Sequence, residues 1–121
     1  MNRPRILVAD DEEGIRESVR LILSVDYDVE AVGDGEAAWA ALSKNHFDLV
    51  LLDIKMPKLD GLEIMRRLKQ RGNHVSVLML TAYQSVELAK EAVKLGALDY
   101  LPKPFDRERI LEAVRDVLAK R

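Results

Sequence analysis

Asp48-Leu49-Val50-Leu51-Leu52-Asp53 sets four consecutive apolar side chains between two carboxylates. An apolar run that short, bounded by polar residues, reads as a β-strand covered on both faces. Ile6-Leu7-Val8-Ala9 ahead of Asp10-Asp11, and Val77-Leu78-Met79-Leu80 ahead of Thr81, repeat the pattern. Two further segments, Asp28-Val29-Glu30-Ala31-Val32 and Leu98-Asp99-Tyr100-Leu101, alternate polar with apolar residues, as half-exposed edge strands do. Strands are therefore expected at Arg5–Ala9, Asp28–Val32, Asp48–Asp53, Val75–Leu80 and Leu98–Leu101.

Amphipathic helical patterns lie between and after these strands. Ile15, Val19 and Ile22 mark the first, the alanine-rich Glu36–Leu42 stretch the second, and Leu62, Met65 and Leu68 the third. Leu88, Ala92 and Leu95 mark the fourth, and Ile110, Val114, Val117 and Leu118 the fifth. Spacings of three and four put each set on one buried stripe. Asp60 with Glu63 has the spacing of a capping box, and Ser85 and Asp106 stand where N-caps belong. Gly72 and Gly96 follow the third and fourth helices, where a left-handed residue closes the helix most cheaply. Five alternations of strand and helix with short connections imply a parallel sheet covered on both faces. Apolar strands 1, 3 and 4 inside, with 2 and 5 at the edges, fit the flavodoxin-like order 2-1-3-4-5.

Bulk properties limit the function. The 121 residues fit one compact domain, 1–121, with 48% apolar residues to build its core. The 19 basic and 21 acidic side chains nearly cancel to a net charge of −2, so there is no general pull toward nucleic acid or anionic lipid. Absence of cysteine removes disulfides and thiolate metal sites. The apolar run after Arg5 is too short for a signal-peptide core or a membrane span, so a cytoplasmic location is expected. His46 and His74 lack metal-ligand spacing and read as surface residues; Trp39 reads as packing. Arg66, Arg67, Lys69 and Arg71 read as a solvated helix face.

The chemistry gathers at one end. In an open parallel sheet, ligands bind beyond the carboxyl ends of the strands. Asp10-Asp11, Asp53, Thr81 and Lys103 all stand there, from four separate places in the chain. Carboxylates about 5 Å apart repel by roughly 3 kcal/mol at an effective dielectric of 20, so three mutual pairs cost on the order of 10 kcal/mol. Lys103 offsets part of this, and proton uptake or a cation must relieve the rest. Oxygen donors without histidine or cysteine suit a hard ion such as magnesium, together with phosphate oxygens.

With these residues in view, the whole chain resembles the receiver domain of two-component response regulators. The likeness rests on Asp10-Asp11, Asp53, Met56-Pro57, Asp60-Gly61 and Thr81-Ala82, with Asp99-Tyr100-Leu101-Pro102-Lys103-Pro104-Phe105 completing the set. The resemblance implies that Asp53 accepts a phosphoryl group from a phosphohistidine on a sensor histidine kinase or phosphotransfer protein. It implies a magnesium ion, with manganese as a substitute, held by Asp11, Asp53 and the Lys55 backbone carbonyl, with Asp10 acting through water. Lys103 would contact phosphoryl oxygen, the Lys103-Pro104 bond would be cis, and Thr81 with Tyr100 would form the switch. The output surface would be the fourth helix, fifth strand and fifth helix, through which a homodimer could form.

On this reading the chain is a phosphoacceptor rather than a turnover enzyme, with no nucleic-acid or membrane contact of its own. The stretch from Leu80 to Glu87, together with Lys103-Pro104-Phe105, resembles receivers that front enhancer-binding transcription activators. Alternatives are a standalone receiver acting by protein contact, a docking-only receiver, an aspartyl-nucleophile phosphatase or transferase, and a flavin-binding module. The phosphatase family spaces its two aspartates differently. The flavin reading needs a hydroxyl- and glycine-rich loop where Asp10-Asp11-Glu12-Glu13-Gly14 stands.

Overall fold

Each of the five strands forms where the apolar runs end and begin, and each is followed by a helix. The computed structural model describes residues 3–82 and 86–120; the expected cap Ser85 lies outside the described residues. In chain order the elements are β1 (Arg5–Ala9), α1 (Glu13–Leu23), β2 (Asp28–Val32), α2 (Gly35–Lys44), β3 (Leu49–Asp53), α3 (Gly61–Gln70), β4 (Ser76–Ala82), α4 (Val86–Lys94), β5 (Asp99–Lys103) and α5 (Arg107–Lys120). The strands are all parallel, in the order β2-β1-β3-β4-β5. This is the flavodoxin-like arrangement expected from the strand burial, with β3 buried at every position and β2 partly exposed throughout.

Period-two alternation divides the core between the two faces. Leu7, Val50, Leu52, Val77 and Met79 face α2, α3 and α4, meeting Ala38, Leu62, Met65 and Ala92. Ile6, Val8, Leu49, Leu51, Leu78 and Leu80 face α1 and α5, meeting Val19, Leu23, Ile110 and Val114. Fully burying each such leucine or isoleucine contributes about 1.5–3 kcal/mol. That hydrophobic grip holds the strand ends in fixed positions. Among the described residues, no helix is long and apolar enough to cross a membrane.

Several boundaries differ from expectation. β3 starts at Leu49 because Asp48 pairs with the start of β1: Arg5 N donates to its carboxylate at 2.8 Å and Asp48 N donates to the Arg5 carbonyl at 2.8 Å. β4 runs on to Ala82 and β5 to Lys103, since Thr81 pairs with Pro102 and Ala82 with Lys103. Proline is tolerated there because β5 is an edge strand. The capping box is only half formed. Asp60 accepts from Glu63 N at 2.9 Å, but the Glu63 carboxylate turns to Arg66 and Arg67 instead of returning. Asp106 caps α5 through Arg109 N at 2.8 Å, and Gly72 and Gly96 adopt φ of 65° and 119° after α3 and α4.

The basic stretch of α3 is more than a solvated face. The guanidinium carbons of Arg67 and Arg71 lie 5.5 and 4.9 Å from the centre of the Trp39 ring, which packs on the α2–α3–α4 side of the core. His46 and His74 are surface residues, as expected.

Candidate functional site

The carboxyl ends of β1, β3 and β5 deliver Asp10, Asp53 and Lys103 to one place. Asp10 is fully buried and Asp53 is 6% exposed. The Lys103 ammonium lies 2.8 Å from Asp10 Oδ2, 3.3 Å from Asp53 Oδ2 and 3.3 Å from Glu12 Oε1. One cation thus serves three carboxylates. Asp11, exposed at the start of the following turn, adds a fourth, and one oxygen from each of Asp10, Asp11 and Asp53 falls within 4.8 Å of the others. Asp11, Asp53 and Lys55 line a shared cleft of about 240 Å³ with Glu12, Ala82 and Lys103.

The electrostatics follow from that crowding. Burial, then the charge of Asp10, pushes the Asp53 carboxyl from 3.8 up to about 6 in spite of the opposing pull of Lys103. Burial works against the Lys103 ammonium, but its contacts with Asp10, Asp53 and Glu12 outweigh it and raise its pKa. Asp10 Oδ2 is buried and faces the Lys103 ammonium at 2.8 Å. Its other oxygen accepts from Glu12 N at 2.9 Å. One ammonium is shared among three carboxylates, so a further cation there is favoured.

These residues fit a magnesium ion. Oxygens bound to one such ion at about 2.1 Å lie at most about 4.2 Å apart. A cluster within 4.8 Å therefore needs only small side-chain shifts. The donors are all oxygen, as a hard cation requires. The ion would neutralise charge that Lys103 alone does not.

The loop after β3 is held by two glycines. Gly61 N donates to the Ile54 carbonyl at 2.7 Å, and a Cβ at Gly61 would lie 2.4 Å from the Asp53 carbonyl oxygen. A Cβ at Gly35 would meet the Leu59 carbonyl oxygen at 1.6 Å. Lys58, at φ 72°, pairs with the α2 cap Asp34 at 3.5 Å. Backbone approach of this closeness excludes any side chain at either glycine.

Thr81 is fully buried at the end of β4, with its hydroxyl donating to the Ala82 carbonyl at 3.1 Å. Tyr100 pairs with Met79 and packs half-buried on the α2–α3–α4 side. Strand alternation places Thr81 on the same face as Met79, and hence on the face Tyr100 occupies. The Lys103-Pro104 bond is cis.

Sequence reasoning missed two members. Glu12 stands at the N-cap of α1 without capping it, and spends its carboxylate on Lys103. Arg16 donates to the Asp10 carbonyl at 2.9 Å. A helix start that gives up its cap is the available signal for the first; none marks the second.

Comparison with known proteins gives the family and the fold. A family model described as response regulator receiver domain matches residues 6–115. The response regulator MprA of Mycobacterium sp. (strain KMS) is 44% identical over 117 residues, covering 96% of this chain and 51% of that protein. MprA of Mycobacterium leprae (strain TN) is 42% identical over the same span. The chain therefore spans about half the length of the curated relatives it matches. Among solved structures, the receiver domain of the Francisella response regulator 1452 superposes with a TM-score of 0.89 at 29% identity, covering 98% of both chains. Full-length FixJ from B. japonicum gives 0.91 at 34% identity, covering 99% of this chain and 60% of that one.

Proposed function

The chain belongs to the response regulator receiver domain family, and on that premise we propose that it is the phosphoacceptor switch of a His-to-Asp phosphorelay, with Asp53 as the acceptor. The observation that carries this reading is the gathering of Asp10, Asp11 and Asp53 into one cluster, with the Lys103 ammonium set against Asp10 and Asp53. An Asp53 carboxylate oxygen attacks the phosphorus of a phosphohistidine on a sensor kinase or phosphotransfer protein. The new O–P bond forms as the N–P bond breaks, and imidazole leaves with the electron pair. Little covalent help is needed; catalysis consists of positioning and neutralising the equatorial oxygens. Lys103 supplies a point charge toward one of them.

Asp11, Asp53 and the Lys55 carbonyl would hold the magnesium, with Asp10 acting through water. The bound ion supplies charge neutralisation shared between carboxylates and phosphoryl oxygen. Thr81 and Tyr100 then relay occupancy of the site to the α4–β5–α5 surface. Their shared face of the sheet supports that role. The switch works by shifting an existing equilibrium, and that surface passes the signal to a homodimer or another protein, with transcription as the output. Residues 1–121 act as one receiver domain inside the cell, binding neither nucleic acid nor membrane and turning over no independent substrate.

Magnesium binding is the first test. At ten times the dissociation constant, magnesium stabilises the folded chain by about 1.4 kcal/mol. For a chain of this size the midpoint of thermal unfolding rises by about 5 °C. Asp11→Asn removes the exposed ligand without touching the core, so its midpoint should not move with magnesium. An equal shift in both proteins would exclude this metal site.

A further inference from the structure

We propose that Arg16 is a positioning residue for the metal pocket, holding the Asp10–Asp11 turn in its binding geometry; this deepens the reading above and rests on it. Arg16 lies in the first turns of α1, its backbone N–H bonded to the Glu12 carbonyl at 2.9 Å. Among the described residues its guanidinium has no carboxylate within ion-pair distance, although its charge reaches Glu17. Instead it donates to the backbone carbonyl of Asp10 at 2.9 Å in a partly buried setting.

That carbonyl belongs to the peptide plane joining Asp10 to Asp11. Asp10 is already fixed elsewhere: its N–H donates to Val32 O at 3.2 Å, Oδ1 accepts from Glu12 N, and Oδ2 faces Lys103. The carbonyl is the remaining handle on the turn. Its orientation decides where the exposed Asp11 carboxylate points relative to Asp10 and Asp53. Charge-assisted bonds are roughly twice as strong as neutral ones, so a guanidinium makes an effective clamp.

A second residue makes room for it. A Cβ at Gly33 would lie 2.9 Å from the Arg16 Nη1 atom and 3.4 Å from Cζ. The loop leaving β2 therefore carries glycine where the guanidinium passes. Gly33→Ala would push the flexible end of Arg16 off the carbonyl while leaving its charge in place. Two separate substitutions thus attack the same bond by different routes.

The sign of the effect separates positioning from simple charge. Arg16 is a cation near a cation site, so its field alone opposes metal binding. Neutralising it would tighten magnesium if only charge mattered. Loss of a clamp on ligand orientation weakens it, typically by about tenfold or more.

The test is the magnesium dissociation constant of the chain, measured by titrating backbone amide resonances, alongside the denaturation midpoint without metal. Arg16→Met and Gly33→Ala should each weaken binding, the former about tenfold. The double variant should be no weaker than Arg16→Met, because both remove one interaction. Arg16→Lys, which keeps charge without the fork, should also weaken it. Tighter binding in Arg16→Met, full retention in Arg16→Lys, additive losses in the double variant, or lowered stability at an unchanged dissociation constant would each overturn the proposal. A parent chain that binds no magnesium would overturn the metal site itself along with it, whereas a binding parent with equally binding variants would overturn only the role of Arg16.

Discussion

Asp53→Asn takes up no phosphoryl group from acetyl phosphate and magnesium under conditions that label the parent chain. The amide keeps the shape of the side chain but not the nucleophile, since its nitrogen lone pair is delocalised and its oxygen is a poor attacker. Loss of a covalent nucleophile lowers rates on the order of 10³-fold or more. The neighbours are poorly placed to substitute. Asp10 is fully buried against Lys103. Asp11 is exposed, at the edge of the cleft where the ammonium does not reach it as a partner. The readout is radiolabel or intact mass after a fixed incubation; stoichiometric labelling of the variant would place the acceptor on another residue.

The same substitution raises the stability of the metal-free protein. Burial and the Asp10 charge hold the Asp53 carboxyl at about 6 instead of 3.8, so the folded chain binds that proton more tightly than the unfolded chain. Stability is then lost as pH rises from about 4 to about 6 and stays lost above. The shift corresponds to about 3 kcal/mol in full. Asparagine cannot ionise and escapes the loss. Denaturation in chelator should show Asp53→Asn more stable by about 1–3 kcal/mol at pH 7.5, with the difference fading toward pH 4. A variant equal to or weaker than the parent at pH 7.5 would mean that Lys103 already balances the cluster. A site that stores repulsion without its cation gains affinity for that cation, which links instability to function.

Much of this is readable from residue order. The contrast between Leu49–Leu52, apolar at every position, and the alternation from Asp28 to Val32 separates central from edge strands, because burial on two faces leaves no polar alternation. Asp10, Asp53 and Lys103 are legible as a cluster because parallel strands bring their carboxyl ends to one edge. Strand ends are less legible. Whether β4 stops at Leu80 or Ala82 depends on the partner Lys103 offers across the sheet. Trp39 stacked with Arg67 and Arg71 needs α2 and α3 side by side, which no local pattern encodes. Arg16 is hidden for a similar reason: its partner is a backbone carbonyl, and every residue has one.

The most direct measurement follows the Asp53 carboxyl carbon by nuclear magnetic resonance through a pH titration, first in chelator and then with saturating magnesium. The metal-free midpoint should lie at about 6 and fall to the ordinary carboxylate range or lower when the ion is added. A metal-free midpoint in the ordinary carboxylate range, unmoved by magnesium, would contradict that expectation.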